Sequence, residues 1–184
     1  MPNLTLSWTL TVITIHDVIQ GSPEWHELRD GLYTGQNIHK LLKTNDKSYA
    51  LTHTTSFSGN FATDRGHILE DEAIELYEAI KGVKVDRPGF VTNDKYPNCG
   101  YSFDGLCPDR SIEVKAFNEV RHLANARELE MEIKAQVQFG QIIGEKNLTD
   151  VLLYNPDIEA DKALIIITVK KNPSIHKNIK TRLP

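Results

Sequence analysis

The spacing of hydrophobic residues changes along this chain, from every second residue to every third or fourth and back, and this change most constrains the fold. In residues 4–12 apolar and polar side chains alternate without a break, which predicts a half-buried β-strand. In residues 64–80 the apolar positions recur at helical spacing until Gly82, which predicts an amphipathic α-helix. Both periods in one chain indicate an α/β protein.

The remaining segments extend this pattern. Ser22-Pro23 predicts the start of one short helix, and Thr34-Gly35 predicts the start of another. Residues 44–63 are rich in Thr, Ser and Asn and are interpreted as a loop, with a helix within it as the open alternative. This alternation of strands and helices predicts an α/β fold with helices flanking a mixed central β-sheet. The further expected elements are strands at 89–92, 100–106, 111–117, 150–154 and 163–169, and one or two helices at 119–144.

Length and composition place the chain among globular proteins. With 184 residues, 40% of them hydrophobic and 25% charged, it has the composition of one domain with its own core, and no Gly-, Ser- or Pro-rich stretch divides it. We therefore expect a single domain over residues 1–184. Cys99 and Cys107 are too few for a disulfide framework and lack the spacing of a zinc site, so reduced thiols are expected.

No targeting or membrane segment is expected. The apolar N-terminal stretch contains no Lys or Arg before Arg29, unlike a secretory signal, and no segment approaches the roughly 20 continuous apolar residues of a membrane span. The sequence therefore predicts a cytoplasmic protein. Its formal charge of −4 argues against a generic DNA-coating protein. It does not argue against a nuclease, because clustered catalytic carboxylates add negative charge that divalent cations offset.

The residues suited to catalysis are concentrated in one predicted hairpin. In its second strand Ile112 and Val114 are predicted to face the core, so Glu113 and Lys115 project together from the other face. Asp104 lies nine residues before Glu113, on the predicted partner strand. Two carboxylates next to an ammonium group suit metal-assisted phosphodiester cleavage, since hard oxygen ligands hold Mg²⁺ and the lysine helps to orient and deprotonate the attacking water.

The Glu-x-Lys triplet is weak evidence by itself. With Glu and Lys each about 6% of residues, it arises by chance about 0.6 times in ~180 positions. Glu132-Ile133-Lys134 repeats it in a predicted helix that has no acidic hairpin partner. An exposed ion pair on the strand is therefore the ordinary alternative for Glu113 and Lys115.

Two other polar residues lie along predicted apolar helix faces. Glu70 shares a helical line with Ala73 and Tyr77, where a carboxylate needs a partner such as a metal ion unless it turns to solvent. Gln136 falls among apolar residues of the 119–144 segment, where a buried amide must be hydrogen-bonded. Bonding to the backbone is the more common explanation for one such glutamine, so neither residue identifies a site alone.

Five sequence blocks in a fixed order carry a more specific signal. The blocks are Gly21-Ser22-Pro23-Glu24-Trp25-His26-Glu27-Leu28-Arg29, Arg65-Gly66-His67-Ile68-Leu69-Glu70, Ser102-Phe103-Asp104-Gly105-Leu106, Ile112-Glu113-Val114-Lys115 and Ala135-Gln136-Val137-Gln138. Together they resemble the blocks of the lambda-exonuclease or YqaJ-like viral recombinase family, in the PD-(D/E)xK nuclease superfamily, over residues 21 to about 170.

The resemblance implies a restriction-endonuclease-like core that digests one strand of duplex DNA from its 5′ end. It also implies a requirement for Mg²⁺, with two ions at the site and Mn²⁺ as a substitute. The implied roles are metal ligation by Asp104, Glu113, the Val114 carbonyl and, indirectly, Glu70; water positioning by Lys115 and Gln136; and binding of the DNA 5′-phosphate by Arg29, Thr34 and Gln36.

Three features depart from the family pattern. Phe103 stands where a proline is usual, beside a retained Asp104. Gln36 stands where lambda exonuclease has a small hydroxyl residue that assists phosphate capture, which affects the anion pocket expected at the Thr34-Gly35 helix start. The chain ends soon after the last predicted strand with a short basic tail at 177–182, which bears on assembly more than on chemistry.

The resulting interpretation is a phage-type, Mg²⁺-dependent exonuclease that leaves 3′ single-stranded overhangs on linear duplex DNA for recombination by strand annealing. The expected partners are DNA ends, a phage annealing protein and further copies of the chain in a homotrimer, in the host cytoplasm and without a membrane. Two alternatives stay open. One is a structure-specific endonuclease with the same core, and the other is a degenerate DNA-end-binding module, against which the complete acid-acid-Lys set argues.

Overall fold

The computed structural model describes residues 11–44 and 61–183. Most of the strand expected at residues 4–12 and most of the 44–63 loop therefore lie outside the described residues. The first described strand, β1, spans Ile13–His16. Helix α1 spans Pro23–Arg29, and a 3₁₀ turn at Gly35–Asn37 leads directly into helix α2 at Ile38–Thr44. These bounds confirm the two helix starts expected from the sequence.

Local sequence fixes where α1 begins. The Ser22 hydroxyl accepts a hydrogen bond from the Trp25 backbone N–H at 3.2 Å, and Pro23 occupies the first turn, where no backbone N–H is needed. Because Trp25 and Arg29 are four residues apart, they lie on the same side of α1. The cap thereby determines which way both side chains point.

The long helix α3 spans Phe61–Lys81, as the helical period of residues 64–80 predicts. Leu69, Ala73 and Tyr77 are buried on one face. The helix ends at Gly82, whose φ of +65° lies in the left-handed region that favours glycine.

A small antiparallel sheet precedes the central one. Its strands are β1, β2 at Phe90–Asn93 and β3 at Gly100–Tyr101, in the order β1-β2-β3. The predicted central sheet contains β4 at Gly105–Leu106, β5 at Ser111–Ala116, β6 at Leu148–Tyr154 and β7 at Leu164–Lys170, in the order β4-β5-β6-β7. Strands β5 and β6 are parallel and the other pairs antiparallel, which confirms a mixed sheet flanked by helices.

The single strand expected at residues 100–106 is wrong, because the chain bends at 102–104 and divides between the two sheets. The Phe103 side chain is buried in the core that contains Tyr101, and the Ser102 hydroxyl is bonded to the Trp25 indole. Asp104 turns back to the β5 backbone, where its carboxylate accepts a hydrogen bond from the Val114 N–H at 2.7 Å. Asp104 therefore lies at a junction between sheets, not within a hairpin strand.

Residues 119–144 form two helices, α4 at Glu119–Arg127 and α5 at Met131–Ile143. The break between them is fixed by polar contacts, since the Asn125 side-chain carbonyl accepts the Glu130 backbone N–H and the Glu130 carboxylate pairs with Arg121. Most of α5 is buried, including Ile133, Val137 and Phe139.

A short helix α6 at Ala160–Ala163 and a C-terminal helix α7 at Pro173–Lys180 complete the described elements. Helix α7 was not expected from the sequence, in which residues 177–182 were interpreted as a short basic tail. Asn172 caps α7 by accepting the backbone N–H groups of Ser174 and Ile175, and Ile179 is buried in the main core. The tail is thus folded onto the protein through residue 180.

Helices α3 and α5 cover opposite faces of the central sheet. Tyr77 of α3 packs in one cluster with Ile112 of β5, whereas Ile133 of α5 packs in another with Val151 of β6. Residues alternate between these faces along each strand, so Glu113 lies on the α5 side. The end of β5 then meets the bend at 102–104, and a cleft opens there.

Cys99 and Cys107 are both free and buried, and burial raises the pKa of the Cys99 thiol to about 12. These thiols agree with the reduced state expected from the sequence. Within residues 11–44 and 61–183, no helix has the length and apolarity needed to cross a membrane.

Candidate active site

Three side chains from the predicted catalytic hairpin converge at the end of β5. The Lys115 ammonium lies 2.6 Å from the Glu113 carboxylate, which confirms that the two residues share one face of the strand. Asp104 reaches the same point by bonding the backbone of Val114, between them in sequence. Glu113 is buried, and Lys115 is only 21% exposed, so this is not the solvent-exposed ion pair of the ordinary alternative.

The Glu113 carboxylate is oriented by two further donors. The Tyr101 hydroxyl donates to it at 2.8 Å and the Gln136 amide at 2.7 Å. The Tyr101 ring fits beside β5 because two glycines lack side chains: a Cβ on Gly35 would lie 2.4 Å from the ring, and one on Gly140 would lie 2.9 Å from it. Gln136 therefore bonds a carboxylate, not the backbone that its sequence context favoured.

Glu70 lies at the edge of the buried face of α3, as its position in the helical repeat indicates. Its carboxylate is 2.5 Å from the Arg87 guanidinium, which also contacts Asp71 at 2.9 Å. Burial raises the pKa of the Glu70 carboxyl, partly opposed by Arg87, and the Glu113 charge adds to the increase. Glu70 thus belongs to the same electrostatic cluster as the β5 carboxylate.

The carboxyl groups of the cleft are crowded around Asp104. Burial raises the pKa of this carboxyl well above its ordinary value, and the charges of Glu113 and Glu70 raise it further, against the opposing effect of Lys115. The pKa of Lys115 is itself raised, because the attraction of Glu113 and Asp104 outweighs the effect of burial. The lysine is therefore held as an ammonium ion beside carboxylates that repel one another.

A positively charged wall faces this acidic cluster. Arg29 is partly buried, and among the described residues no carboxylate forms an ion pair with it. Burial lowers the pKa of Arg29 to about 10. Its guanidinium lies 3.7 Å from the centroid of the Trp25 ring, in cation–π geometry. Thr34 begins the neighbouring 3₁₀ turn without a capping bond from its side chain.

All of the site residues expected from the sequence line one cleft with a volume of about 430 Å³. Carboxylates and Lys115 form one part of its wall, and the Arg29 guanidinium forms another. The expected residues in this lining are Arg29, Thr34, Gln36, Glu70, Asp104, Glu113, Val114, Lys115 and Gln136.

Several cleft residues had no signal in the sequence. Tyr101 and Ser102 adjoin Asp104, but nothing in their spacing shows that they bond to Glu113 and Trp25. Glu132 also lines the cleft, although it belongs to the second Glu-x-Lys triplet, and its carboxylate lies 3.7 Å from His39. These contacts join segments that are far apart in the chain, so a local pattern does not reveal them.

The two lysines of the Glu-x-Lys triplets occupy different environments. Lys115 lies in the cleft, whereas Lys134 is absent from its lining and pairs with Glu128 at 3.0 Å on the surface of α5. Within the described residues, the backbone of the first triplet donates to the carboxylate of another acidic residue, Asp104, and that of the second does not. The structure therefore separates the two triplets, although their sequences are similar.

The donor atoms in the cleft fit a hard divalent cation. Asp104 and Glu113 supply carboxylate oxygens, and a cation would relieve the repulsion that raises the Asp104 pKa. Within the described ranges no three His, Cys, Asp or Glu side chains form a ready-made metal site. Mg²⁺ suits such a partial set, because it usually keeps several waters and takes only one or two protein carboxylates.

Solved structures show where else this fold occurs. LHK-Exo, an alkaline exonuclease from Laribacter hongkongensis, is 21% identical with a TM-score of 0.76, over 88% of this chain and 89% of that chain. The structure of LHK-Exo in complex with dAMP is 22% identical in sequence with a TM-score of 0.76, also over 88% of this chain and 89% of that chain. A phage-related exonuclease from Haemophilus somnus 129PT is 14% identical with a TM-score of 0.61, over 86% of this chain and 92% of that one. At these identities the likeness establishes the fold.

A family model provides the evidence from sequence. None of the curated protein sequences matches the chain at a significant level. The model of the YqaJ-like viral recombinase domain, however, matches residues 24–147, which is more than half of the chain and includes every cleft residue from Trp25 to Gln136. The match confirms the resemblance recognised in the five sequence blocks. The chain belongs to the family of the YqaJ-like viral recombinase domain.

Proposed function

We propose that the protein is a metal-dependent DNA exonuclease that degrades one strand of linear duplex DNA from its 5′ end and leaves 3′ single-stranded overhangs. The observation that carries this proposal is the cleft lined by Asp104, Glu113, Lys115 and Arg29, the last of which forms no ion pair with a carboxylate of residues 11–44 or 61–183. One side of the cleft suits phosphodiester hydrolysis and the other suits a terminal phosphate. The similar folds of an alkaline exonuclease and a phage-related exonuclease agree with this reading.

Each catalytic group has a role that follows from its contacts. Two Mg²⁺ ions, held by Asp104, Glu113 and the Val114 carbonyl with support from Glu70, would supply a Lewis acid and an activated water. Lys115 holds positive charge beside that water and the scissile phosphate. Gln136 and Tyr101 keep the Glu113 carboxylate in one orientation, and we assign Gln136 a second contact with the water.

The opposite wall would bind the end of the DNA. A guanidinium without a carboxylate partner can give a phosphate paired charge-assisted hydrogen bonds. Thr34 and Gln36 flank it in the same cleft, with Gln36 supplying an amide where the family has a hydroxyl. Because Arg29 holds the terminal phosphate at a fixed place, the first phosphodiester is presented to the carboxylates.

The exonuclease proposal is tested with end-labelled linear duplex and covalently closed circular duplex of the same sequence. The wild-type protein should release nucleotides from linear DNA with Mg²⁺ or Mn²⁺, and EDTA should stop the reaction. Circular DNA should stay intact. Cutting of circular DNA would indicate a structure-specific endonuclease, and metal binding with no cleavage of either substrate would indicate a DNA-end-binding module.

End recognition is tested at Arg29. The Arg29→Ala variant should lose about tenfold or more of the preference for 5′-phosphorylated over 5′-hydroxyl ends, since the charge-assisted bonds to phosphate are removed. Arg29→Lys should recover only part of it, because one ammonium does not reproduce the paired geometry. An unchanged ratio in Arg29→Ala would show that this residue does not bind the phosphate.

We further propose a closed homotrimer that works with a phage single-strand-annealing protein in the host cytoplasm. A ring around DNA explains processive digestion, because the enzyme cannot leave between cycles. Light scattering at micromolar protein should give three times the chain mass, and resection should continue when excess unlabelled DNA is added as a trap. A monomeric mass together with immediate arrest by the trap would refute the ring.

A further inference from the structure

Two side chains at the N-terminal side of the cleft hold the segment that carries Asp104. The Gln20 amide donates to the Phe103 carbonyl at 3.0 Å and to the Pro88 carbonyl at 3.2 Å. The Trp25 indole N–H donates to the Ser102 hydroxyl at 2.9 Å. Both residues immediately before Asp104 are therefore bonded to the segment at 20–29.

These contacts matter because Asp104 lies at the bend between the two sheets. Ser102 and Phe103 take part in neither sheet, so no strand pairing fixes their backbone. On its other side, Asp104 is attached to β5 through the Val114 N–H. The position of the carboxylate therefore depends on the contacts made by Gln20 and Trp25.

Trp25 also supports the arginine proposed to bind the DNA end. The Arg29 guanidinium lies over the ring at 3.7 Å, while the edge of the same ring bonds Ser102. The two residues are one turn apart on α1, whose start is fixed by Ser22. One rigid aromatic side chain thus connects the phosphate-binding wall to the segment that carries Asp104.

We propose that Trp25 is a positioning residue through which a terminal phosphate bound by Arg29 sets the position of Asp104, while Gln20 holds the same segment at Phe103. The 5′-phosphate is then detected as faster chemistry as well as tighter binding. This inference rests on the proposed exonuclease function. Its physical basis is that small displacements of a catalytic group lower the rate strongly, so a contact to the Asp104 segment that a bound end strengthens discriminates in the maximal rate.

The test follows release of the first nucleotide in single turnover. During this step the DNA end still carries the 5′ group with which the duplex was prepared. Duplexes with 5′-phosphate and 5′-hydroxyl ends are digested at increasing enzyme excess, which gives a maximal rate and a half-saturating concentration for each. Binding of both ends is measured separately in EDTA. The variants are Trp25→Phe, which keeps a ring under Arg29 but lacks the indole N–H, and Ser102→Ala, which removes the acceptor.

Thr92→Val is the matched control. It removes one side-chain hydrogen bond of the same 2.9 Å length, between His16 and Thr92, in the small sheet and outside the cleft lining. Thermal unfolding of each variant reports whether it is folded at the assay temperature.

The wild-type enzyme should show a higher maximal rate on phosphorylated ends. In Trp25→Phe and Ser102→Ala the ratio of maximal rates should fall by about three- to tenfold, as loss of one hydrogen bond in the transition state implies. The binding preference in EDTA should persist, because Arg29 and an aromatic ring remain. Thr92→Val should keep both ratios.

Unchanged ratios of maximal rates in both variants would overturn the inference, as would a wild-type preference confined to the half-saturating concentration. A joint loss of the rate ratio and the binding preference would also overturn it, since Trp25 would then only support Arg29. If the wild-type enzyme digests neither end, the proposed function fails and the inference fails with it. Digestion without the rate ratio contradicts the inference alone.

Discussion

Two groups of buried carboxylates lie on opposite faces of the central sheet, and they differ in how their charge is satisfied. Asp150 of β6 pairs in register with Ile112, so its side chain lies on the α3 side, away from Glu113. It is fully buried and accepts hydrogen bonds from three donors. These donors are the Tyr77 hydroxyl at 2.7 Å, the Arg110 guanidinium at 2.9 Å and the Thr168 hydroxyl at 2.6 Å.

In the cleft, Glu113 also has three donors, in Lys115, Tyr101 and Gln136, but Asp104 lacks such complete compensation. Burial would raise the pKa of Asp150, but its donors outweigh burial and the pKa is lowered. At Asp104 the charges of Glu113 and Glu70 reinforce burial, and the pKa rises. A carboxylate whose charge is satisfied within the protein stabilises the fold, whereas carboxylates that repel one another in an open cleft are suited to a cation.

The largest expected effect is loss of cleavage on neutralising the cleft carboxylates. Asp104→Asn and Glu113→Gln should each lower kcat by at least about 100-fold, because each removes a charged ligand while leaving side-chain size nearly unchanged. Rates of nucleotide release from linear duplex, with unfolding curves for each variant, provide the measurement. The control is Asp150→Asn, assayed at a temperature where it is folded, which should keep activity within a few-fold of wild type; a loss as large as that of Asp104→Asn would erase the contrast.

A matched pair of lysine substitutions sharpens the same contrast within two similar triplets. Lys115→Ala should be nearly inactive, with kcat lowered by about 100-fold, because it removes the ammonium beside Glu113. Lys134→Ala removes only a surface pair with Glu128 and should stay active. Equal losses in the two variants, measured on the same DNA, would remove the basis for assigning Lys115.

The free energy of unfolding should respond in the opposite way to activity, with the larger loss at Asp150 and the smaller at Asp104. Asp150→Ala should lower the free energy of unfolding by about 3–5 kcal/mol, since it leaves a partly buried guanidinium and two hydroxyls without their acceptor. Asp104→Asn should change it by less than about 1 kcal/mol in the absence of metal, because the amide oxygen still accepts the Val114 N–H and a repulsive charge is lost. Urea unfolding in EDTA measures both. If Asp104→Asn proves the more destabilising, the cleft carboxylate has a structural role that this account does not assign.

The smallest expected effect is on the pH dependence of the free energy of unfolding. Because the folded-state pKa of Asp150 lies below its ordinary value near 3.8, the unfolded chain binds more protons between the two values. The stability from Asp150 is therefore present above about pH 3.8 and is lost as the pH falls through the lower folded-state pKa. The difference in free energy of unfolding between wild type and Asp150→Asn should be constant from pH 7 to about 5 and should narrow on further acidification. A difference that widens in acid would contradict the lowered pKa.

The sequence predicts elements well where the side chains follow a regular helical or strand period. The helical period of residues 64–80 locates α3, and alternation around Glu113 locates β5 and puts Lys115 on the same face. Local pattern also supplies Asp104, Glu113 and Lys115 as a set. Their roles needed a family resemblance, because the same triplet occurs at Glu132-Ile133-Lys134 without a catalytic arrangement.

Long-range contacts account for what the sequence does not show. The bend at 102–104 depends on Trp25 and Gln20, which are separated from their partners by 77 and 83 residues. Tyr101 joins the site because Gly35 and Gly140 leave room for its ring. The C-terminal helix was missed because its burial rests on one apolar face against the core, which a short basic segment does not reveal.

The central claim is that the Asp104–Glu113 cleft, and not the Asp150 network, binds the catalytic metal. Calorimetric titration with Mn²⁺ of wild type, Asp104→Asn and Asp150→Asn tests it directly, below the unfolding temperature of all three. Wild type and Asp150→Asn should bind Mn²⁺ with similar affinity, and Asp104→Asn should bind it at least about tenfold more weakly, because a charged ligand is lost. Equal Mn²⁺ affinity in wild type and Asp104→Asn would contradict the account.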